Sequence, residues 1–171
     1  MTRLLAPILA FTSEEIWKEM PHAKADNAES VLLNDMPAYN PALVLTAEEL
    51  TRWNRLVSLR DGVNKALENA RKNGVLKKNQ DGEIVLHVSP EDANFLADVD
   101  LATLCIVSKV TVLTAGNEGE PAEDCLVPCT IEVSLSDSAK CVRCWNHNEH
   151  LGENQTHPDL CPRCAGVVTA L

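Results

Sequence analysis

The chain contains no apolar run near the roughly 20 residues that a membrane-crossing helix needs, so no membrane partner is expected. It also lacks an excess of positive charge. Fifteen Lys and Arg stand against 25 Asp and Glu over 171 residues, a formal net charge of −10. That balance argues against a general nucleic-acid binder working through overall charge. There is no Gly-rich phosphate loop and no low-complexity tract. The opening MTRLLAPILAF has one basic residue and a short apolar stretch, but TSEEIWKEM follows it where a small-residue cleavage site would lie, so a secretory leader is not expected. Without secretion, seven cysteines do not imply disulfides. In a reducing, cytoplasmic setting, paired C-x-x-C units more often bind metal or do redox work. The ordinary hydrophobic content excludes a disordered chain.

What is present divides into four segments. Residues 1–45 begin with an apolar stretch interrupted by Pro7. The spacing of Thr12 and Glu15 predicts a capping box opening a helix through about Met20. Trp17 is expected in a core. Pro21, Pro37 and Pro41 mark an extended connection after it. So apolar a beginning reads as the tail of a helical bundle whose other helices are missing.

Residues 46–80 hold a second capping box, Thr46 to Glu49, and predict a helix to about Asn73, with Gly74 as its stop. Leu50, Trp53, Val57, Val63, Leu67 and Ala70 are expected to form its buried face. Between Leu50 and Gln80 lie eight cations: Arg52, Arg55, Arg60, Lys65, Arg71, Lys72, Lys77 and Lys78. Only Asp61 and Glu68 oppose them within the segment, a local balance of +6.

Residues 81–137 read as strand, helix, strand, strand. Asp81-Gly82 is a turn signal, EIVLHV alternates as a strand, and Ser89-Pro90 caps a helix from about Glu91 to Val99. LCIVSKVTVL is expected to be a second strand with Cys105 in the core, NEGEPAED an acidic loop, and CTIEVSLS a third strand. The overall class is α+β: a partial N-terminal bundle, a long helix, this small unit, and a C-terminal four-cysteine zinc ribbon.

Residues 138–171 carry the most specific signal. Cys141-x2-Cys144 is followed, after sixteen residues, by Cys161-x2-Cys164. Two cysteines three apart wrap a tight turn whose N–H groups can support the thiolates, and two such turns complete a tetrahedron. One structural zinc per chain is expected on Cys141, Cys144, Cys161 and Cys164. Four protein ligands leave no open position for catalysis. A rubredoxin-like iron site has similar knuckles, and a thioredoxin-like pair would need a different setting. Beside the metal, Trp145 is expected to pack rather than stack on a base. His147, His150 and His157 read as surface groups or supports of the site. Cys125 and Cys129 lack further ligands for a second metal.

KCVRCW and HPDLCPRC resemble the C-terminal zinc finger of bacterial isoleucyl-tRNA synthetases, shared in outline with formamidopyrimidine-DNA glycosylases. LLAPILAFTSEEIW is similar to the end of the helical anticodon-binding domain of class I synthetases. ESVLLNDMP and RWNRLVSLRDGVNKALENARKNGVL resemble the segments that follow it. The ordered resemblance implies a C-terminal fragment, cut inside the anticodon-binding bundle, that holds the anticodon side of isoleucine tRNA. The HIGH and KMSKS signatures of the catalytic domain are absent, so this chain is not expected to activate an amino acid alone.

The resemblance also implies partners: isoleucine tRNA and the catalytic and anticodon-binding domains of the full-length enzyme, in a monomer. Candidate RNA contacts are Lys140, Arg143, Trp145 and Arg163 on the knuckles, and Arg71, Lys72, Lys77 and Lys78 at the end of the long helix. The competing readings are a glycosylase-like DNA-binding finger and a protein-interaction zinc ribbon, the latter favoured by the acidic bulk.

Overall fold

A computed structural model describes residues 1–23, 26 and 28–170. They form two compact units, Met1–Leu45 and Thr46–Leu171.

The first unit has helices α1 (Thr2–Leu5) and α2 (Ala10–Glu19), followed by 3-10 turns at Val31–Leu33 and Pro41–Leu43. The expected capping box at Thr12 does not form. Helix α2 starts three residues earlier, its N-cap is Leu9, and no side chain caps it. The stretch before Pro7 is helical, and α1 ends at Leu5. Trp17 is buried as expected, against Ala6 and Val31. Its indole N–H donates to the Ala28 carbonyl at 2.8 Å. The Glu14 carboxylate accepts from Ser30 Oγ and the Val31 N–H, tying the turn to the helix. Most other apolar side chains here are exposed, Phe11 at 91% and Ile8 at 79%.

The second unit is a two-layer α/β sandwich with the cysteine module at one end of its sheet. Helix α3 (Ala47–Lys72) opens with the predicted capping box. Thr46 Oγ1 accepts from the Glu49 N–H, and the Glu49 carboxylate accepts from the Thr46 N–H. It ends in a Schellman turn: Val75 N–H donates to Ala70 O and Gly74 N–H to Arg71 O, with Gly74 at φ +76°. Glycine takes that left-handed conformation without a Cβ penalty.

The buried face of α3 is Leu56, Leu59, Val63, Ala66, Leu67 and Ala70. Leu50, Trp53 and Val57 were expected on it, and all three are exposed, Trp53 at 49%. At about 100° per residue these three lie roughly a quarter to a third of a turn or more away from the stripe Leu56–Leu59–Val63–Ala66–Leu67–Ala70, so they point off the layer even where, as at Val57, both neighbours Leu56 and Leu59 are buried.

Strand β1 (Gly82–Val88) pairs parallel with β2 (Lys109–Leu113) and antiparallel with β4 (Cys129–Leu135), and β4 pairs with the two-residue β3 (Glu120–Pro121). The sheet order is β2-β1-β4-β3. A parallel pair needs a crossover, supplied here by α4 (Pro90–Leu96) and α5 (Leu101–Cys105). Ser89 caps α4 as expected, though the helix stops at Leu96.

The LCIVSKVTVL stretch departs from expectation. Its first two residues end α5, Ile106 is left-handed at φ 57°, and only Lys109–Leu113 is strand. A β-branched run cannot by itself reveal that crossover geometry must be completed first. Cys105 is in the core, but on a helix. The acidic loop likewise contains β3. Gly119 permits this pairing at φ +95°, where a Cβ would lie 2.4 Å from the Ile131 carbonyl oxygen.

The sheet alternates cleanly. Ile84, Leu86, Val88 and Ile131 face the helices and join Leu59, Leu67, Leu96 and Val107 in the core. His87 and Glu132 are diagonal neighbours on the opposite face.

Candidate metal centre and nucleic-acid interface

The two knuckles fold from short-range hydrogen bonds. Cys141 O accepts from Trp145 N–H at 2.9 Å, which closes the first turn and leaves Trp145 left-handed at φ 65°. The second knuckle opens helix α6 (Pro162–Thr169), absent from the sequence-based expectation. Cys161 is its N-cap and Pro162 its first residue, a position where the missing N–H costs nothing.

Tertiary folding brings the four sulfurs together. All lie within 4.8 Å of one another, Cys144 and Cys161 Sγ at 3.8 Å. Thiolates placed tetrahedrally about 2.3 Å from a common centre would be ~3.8 Å apart, so the cluster fits a zinc ion.

The electrostatics fit as well. At Cys141, burial opposes the thiolate, but N–H groups of Cys144, Cys161 and Arg143 outweigh it and bring the thiol to about 6. Burial pushes Cys161 up to about 12. Four thiols this close therefore cannot all ionise without a compensating cation, which a divalent metal supplies. The apolar company is small: Leu151 and Leu160 are the partly buried residues packed on the cysteines.

The basic residues have divergent fates. Arg52 pairs with Asp98 at 2.7 Å, Arg55 with Asp92 at 2.6 Å, Arg60 with Asp61 at 3.9 Å, Lys65 with Glu123 at 2.9 Å and Lys72 with Glu68 at 3.0 Å. Three of these five acids come from outside the segment. Arg55 also lies 3.9 Å from the Phe95 ring centroid. Arg71, Lys77 and Lys78 are exposed, and among the described residues no carboxylate lies within ion-pair distance of them.

On the module, Arg143 Nη1 is 3.7 Å from Cys164 Sγ. Arg163 is exposed beside the Cys164 and Cys144 sulfurs. Lys140 donates to Asp81 at 2.7 Å, and this contact holds the Asp81 carboxyl below its usual range. Trp145 is 60% exposed rather than packed away. Its ring is steadied by Nε1–H donating to Val142 O at 3.2 Å, and the Lys78 ammonium lies 6.0 Å from its centroid. This contact joins the chain after α3 to the first knuckle. Among the histidines, His147 sits against Ser138 and Asp81, and His150 pairs with Glu153 on the surface.

A second cluster gave no signal in the sequence. His87, Glu118 and Glu132 place ligand atoms within 4.8 Å of one another. His87 Nδ1 lies 2.8 Å from the Ala115 carbonyl oxygen and Nε2 lies 2.5 Å from Glu132 Oε1. Both ring nitrogens face acceptors, so the geometry suits an imidazolium. The Glu132 hydrogen bond, followed by that to Ala115, raises the His87 pKa above its ordinary value.

Two family models match the chain. The anticodon-binding domain of tRNA ligase matches residues 1–87, and a zinc finger found in FPG and IleRS matches residues 139–166. With the four-cysteine cluster, the latter points to one structural zinc. The chain is 44% identical to an isoleucine--tRNA ligase from Staphylococcus carnosus and 38% identical to one from Desulforudis audaxviator, each over the full chain. It is 35% identical to one from Geobacillus kaustophilus over 98% of the chain. It matches the C-terminal region of such ligases and spans 18% of their length. Among the described residues, no helix is long and apolar enough to cross a membrane.

Proposed function

Since the chain belongs to the anticodon-binding domain family of tRNA ligases, we propose that it is the part of an isoleucine--tRNA ligase that holds the anticodon side of isoleucine tRNA. ATP-dependent joining of isoleucine to that tRNA is assigned to a catalytic domain outside these 171 residues. In this reading Arg143 and Arg163 meet RNA from the knuckles. Lys77, Lys78 and Arg71 meet it from the end of α3, and Trp145 offers an aromatic face between them. Lys72 and Lys140 are further candidates on this reading, although each is already paired to a carboxylate, Glu68 and Asp81. Cations near phosphates position an RNA, and splayed bases stack on aromatic rings.

The observation that supports this most is the contact of Lys78 with Trp145. It brings an exposed indole and a cation with no carboxylate in ion-pair reach among the described residues together from distant parts of the chain.

Zinc is assigned to Cys141, Cys144, Cys161 and Cys164. Its chemistry is to cross-link the two knuckles. The chain's own residues do the rest: N–H groups support the sulfurs, and Arg143 and Arg163 offset their charge.

Binding measured against an isoleucine anticodon stem-loop and against duplex DNA, across salt concentrations, tests the reading. Preference for the stem-loop at low salt, with affinity falling steeply as salt rises, is the expected result. Equal affinity for both ligands would sink the RNA assignment, and a preference for the duplex would favour the DNA-binding alternative.

A further inference from the structure

The cysteine module is not simply strung behind the sheet. One end of the sheet gathers the starts of β1 and β2 and the end of β4, and the module meets all three there. Asp81 closes the 3-10 turn (Asn79–Asp81) that leads into β1. Its backbone carbonyl accepts from Ser136 N–H just after β4. Ser108, just before β2, donates from its hydroxyl to Gln80 O. That same hydroxyl accepts the His147 N–H from the module at 2.7 Å. His147 Nδ1 lies 2.6 Å from Ser138 O, and Lys140 and His147 face each other across an antiparallel bridge inside the module.

The Asp81 carboxylate is the point at which these contacts carry charge. Oδ1 lies 2.7 Å from Lys140 Nζ and 3.5 Å from His147 Nε2, with both Asp81 and His147 side chains only 16% exposed. Removing one partner from a half-buried ion pair leaves the other uncompensated. The neighbouring pair, Lys109 with Glu149, is far more exposed and of the kind that contributes little.

We infer that Asp81 is the positioning residue that fixes the cysteine module on the sheet, so that Arg143, Trp145 and Arg163 meet RNA in one orientation. The orientation rests on the RNA-binding reading above, whereas the clamp itself does not. Lys140 then acts mainly through Asp81, and the surface offered to RNA is set by a residue that itself touches none.

Backbone 15N relaxation of the zinc-loaded chain tests the clamp. In the wild type, amides of residues 139–166 and of β1, β2 and β4 should share one tumbling time. In Asp81→Ala the module's amides should report faster, larger-amplitude motion with zinc content unchanged, and Asp81→Glu should restore the shared time. Asp81→Asn keeps every backbone contact of the turn and repeats the measurement should the alanine variant misfold.

Stem-loop binding adds a readout that a merely structural role would not move. Arg143→Ala should weaken binding in the wild type and have much less further effect in the Asp81→Ala background. Unchanged tumbling in both Asp81→Ala and Asp81→Asn overturns the clamp. So does loss of zinc, because Asp81 would then hold the module together rather than orient it. A wild-type chain that ignores the stem-loop, beside an Asp81→Ala module that moves freely, removes the RNA reading and leaves the clamp standing.

Discussion

The α/β unit and the cysteine module solve the same problem by opposite means. The unit encloses Leu59, Leu67, Ile84, Leu86 and Ile131 almost completely between one helical layer and one sheet face. The module has three buried cysteines with Leu151 and Leu160 beside them, far too little apolar surface to offset the entropy of ordering its loop. A hydrophobic core is redundant and tolerates change locally. A metal-centred fold depends on a single point.

The largest effect should come from that point. Removing zinc with a chelator forfeits on the order of 10–16 kcal/mol of binding-coupled folding energy. Amide signals from about residue 139 onward should collapse to unfolded positions while those of α3 and the sheet persist. A chain that loses both regions together would erase the distinction between them.

A single truncation in the hydrophobic core ranks next. Leu59→Ala, at a fully buried position on α3, should cost about 2–5 kcal/mol in urea unfolding and leave the zinc stoichiometry at one. Leu50→Ala, nine residues earlier on the same helix and half exposed, should cost less than about 1 kcal/mol. Similar losses at the two positions would mean that the first turns of α3 are covered in solution.

The knuckle cations come third. Arg143→Ala with Arg163→Ala should weaken stem-loop binding roughly tenfold, about 1.4 kcal/mol, and flatten its salt dependence by one to two units of slope, roughly 0.7 per lost phosphate contact. Zinc should remain bound, as metal analysis would report. Binding equal to that of the wild type would take the knuckles off the contact surface.

The smallest effect is expected at His87. Its folded pKa is raised, chiefly by the Glu132 hydrogen bond. Its contribution is therefore complete below the unfolded value of about 6.5 and is lost as pH rises through the raised folded value. NMR titration of the ring should show the upward shift. Protection of the loop from Ala115 to Glu118 against amide exchange, corrected for intrinsic rate, should fall on the alkaline side. His87→Gln should abolish that pH dependence.

Much of this was legible in the residues. The two C-x-x-C pairs at metal-ligand spacing, the capping box at Thr46 and Glu49, the stop at Gly74 and the alternation of EIVLHV and CTIEVSLS each encode a local geometry, and each appears where its chemistry places it. The expectations that failed concerned partners. Leu50, Trp53 and Val57 share helical spacing with one another, but the buried stripe begins at Leu56 and runs on a different face, and spacing alone does not say which of two apolar stripes the sheet will cover. Thr12 and Glu15 have the spacing of a capping box, but Leu9 begins the helix first.

The charge pattern draws the line most clearly. By itself the sequence determined that eight cations cluster between Leu50 and Gln80 and that four thiols stand ready for one ion, because composition and short-range spacing are local properties. Only the tertiary structure decided that Asp92, Asp98 and Glu123 would reach back to neutralise Arg55, Arg52 and Lys65. It alone set Lys78 beside Trp145 and turned Asp81 toward Lys140 and His147. Coulomb energy falls with distance through space, and distance through space is what a linear sequence does not carry.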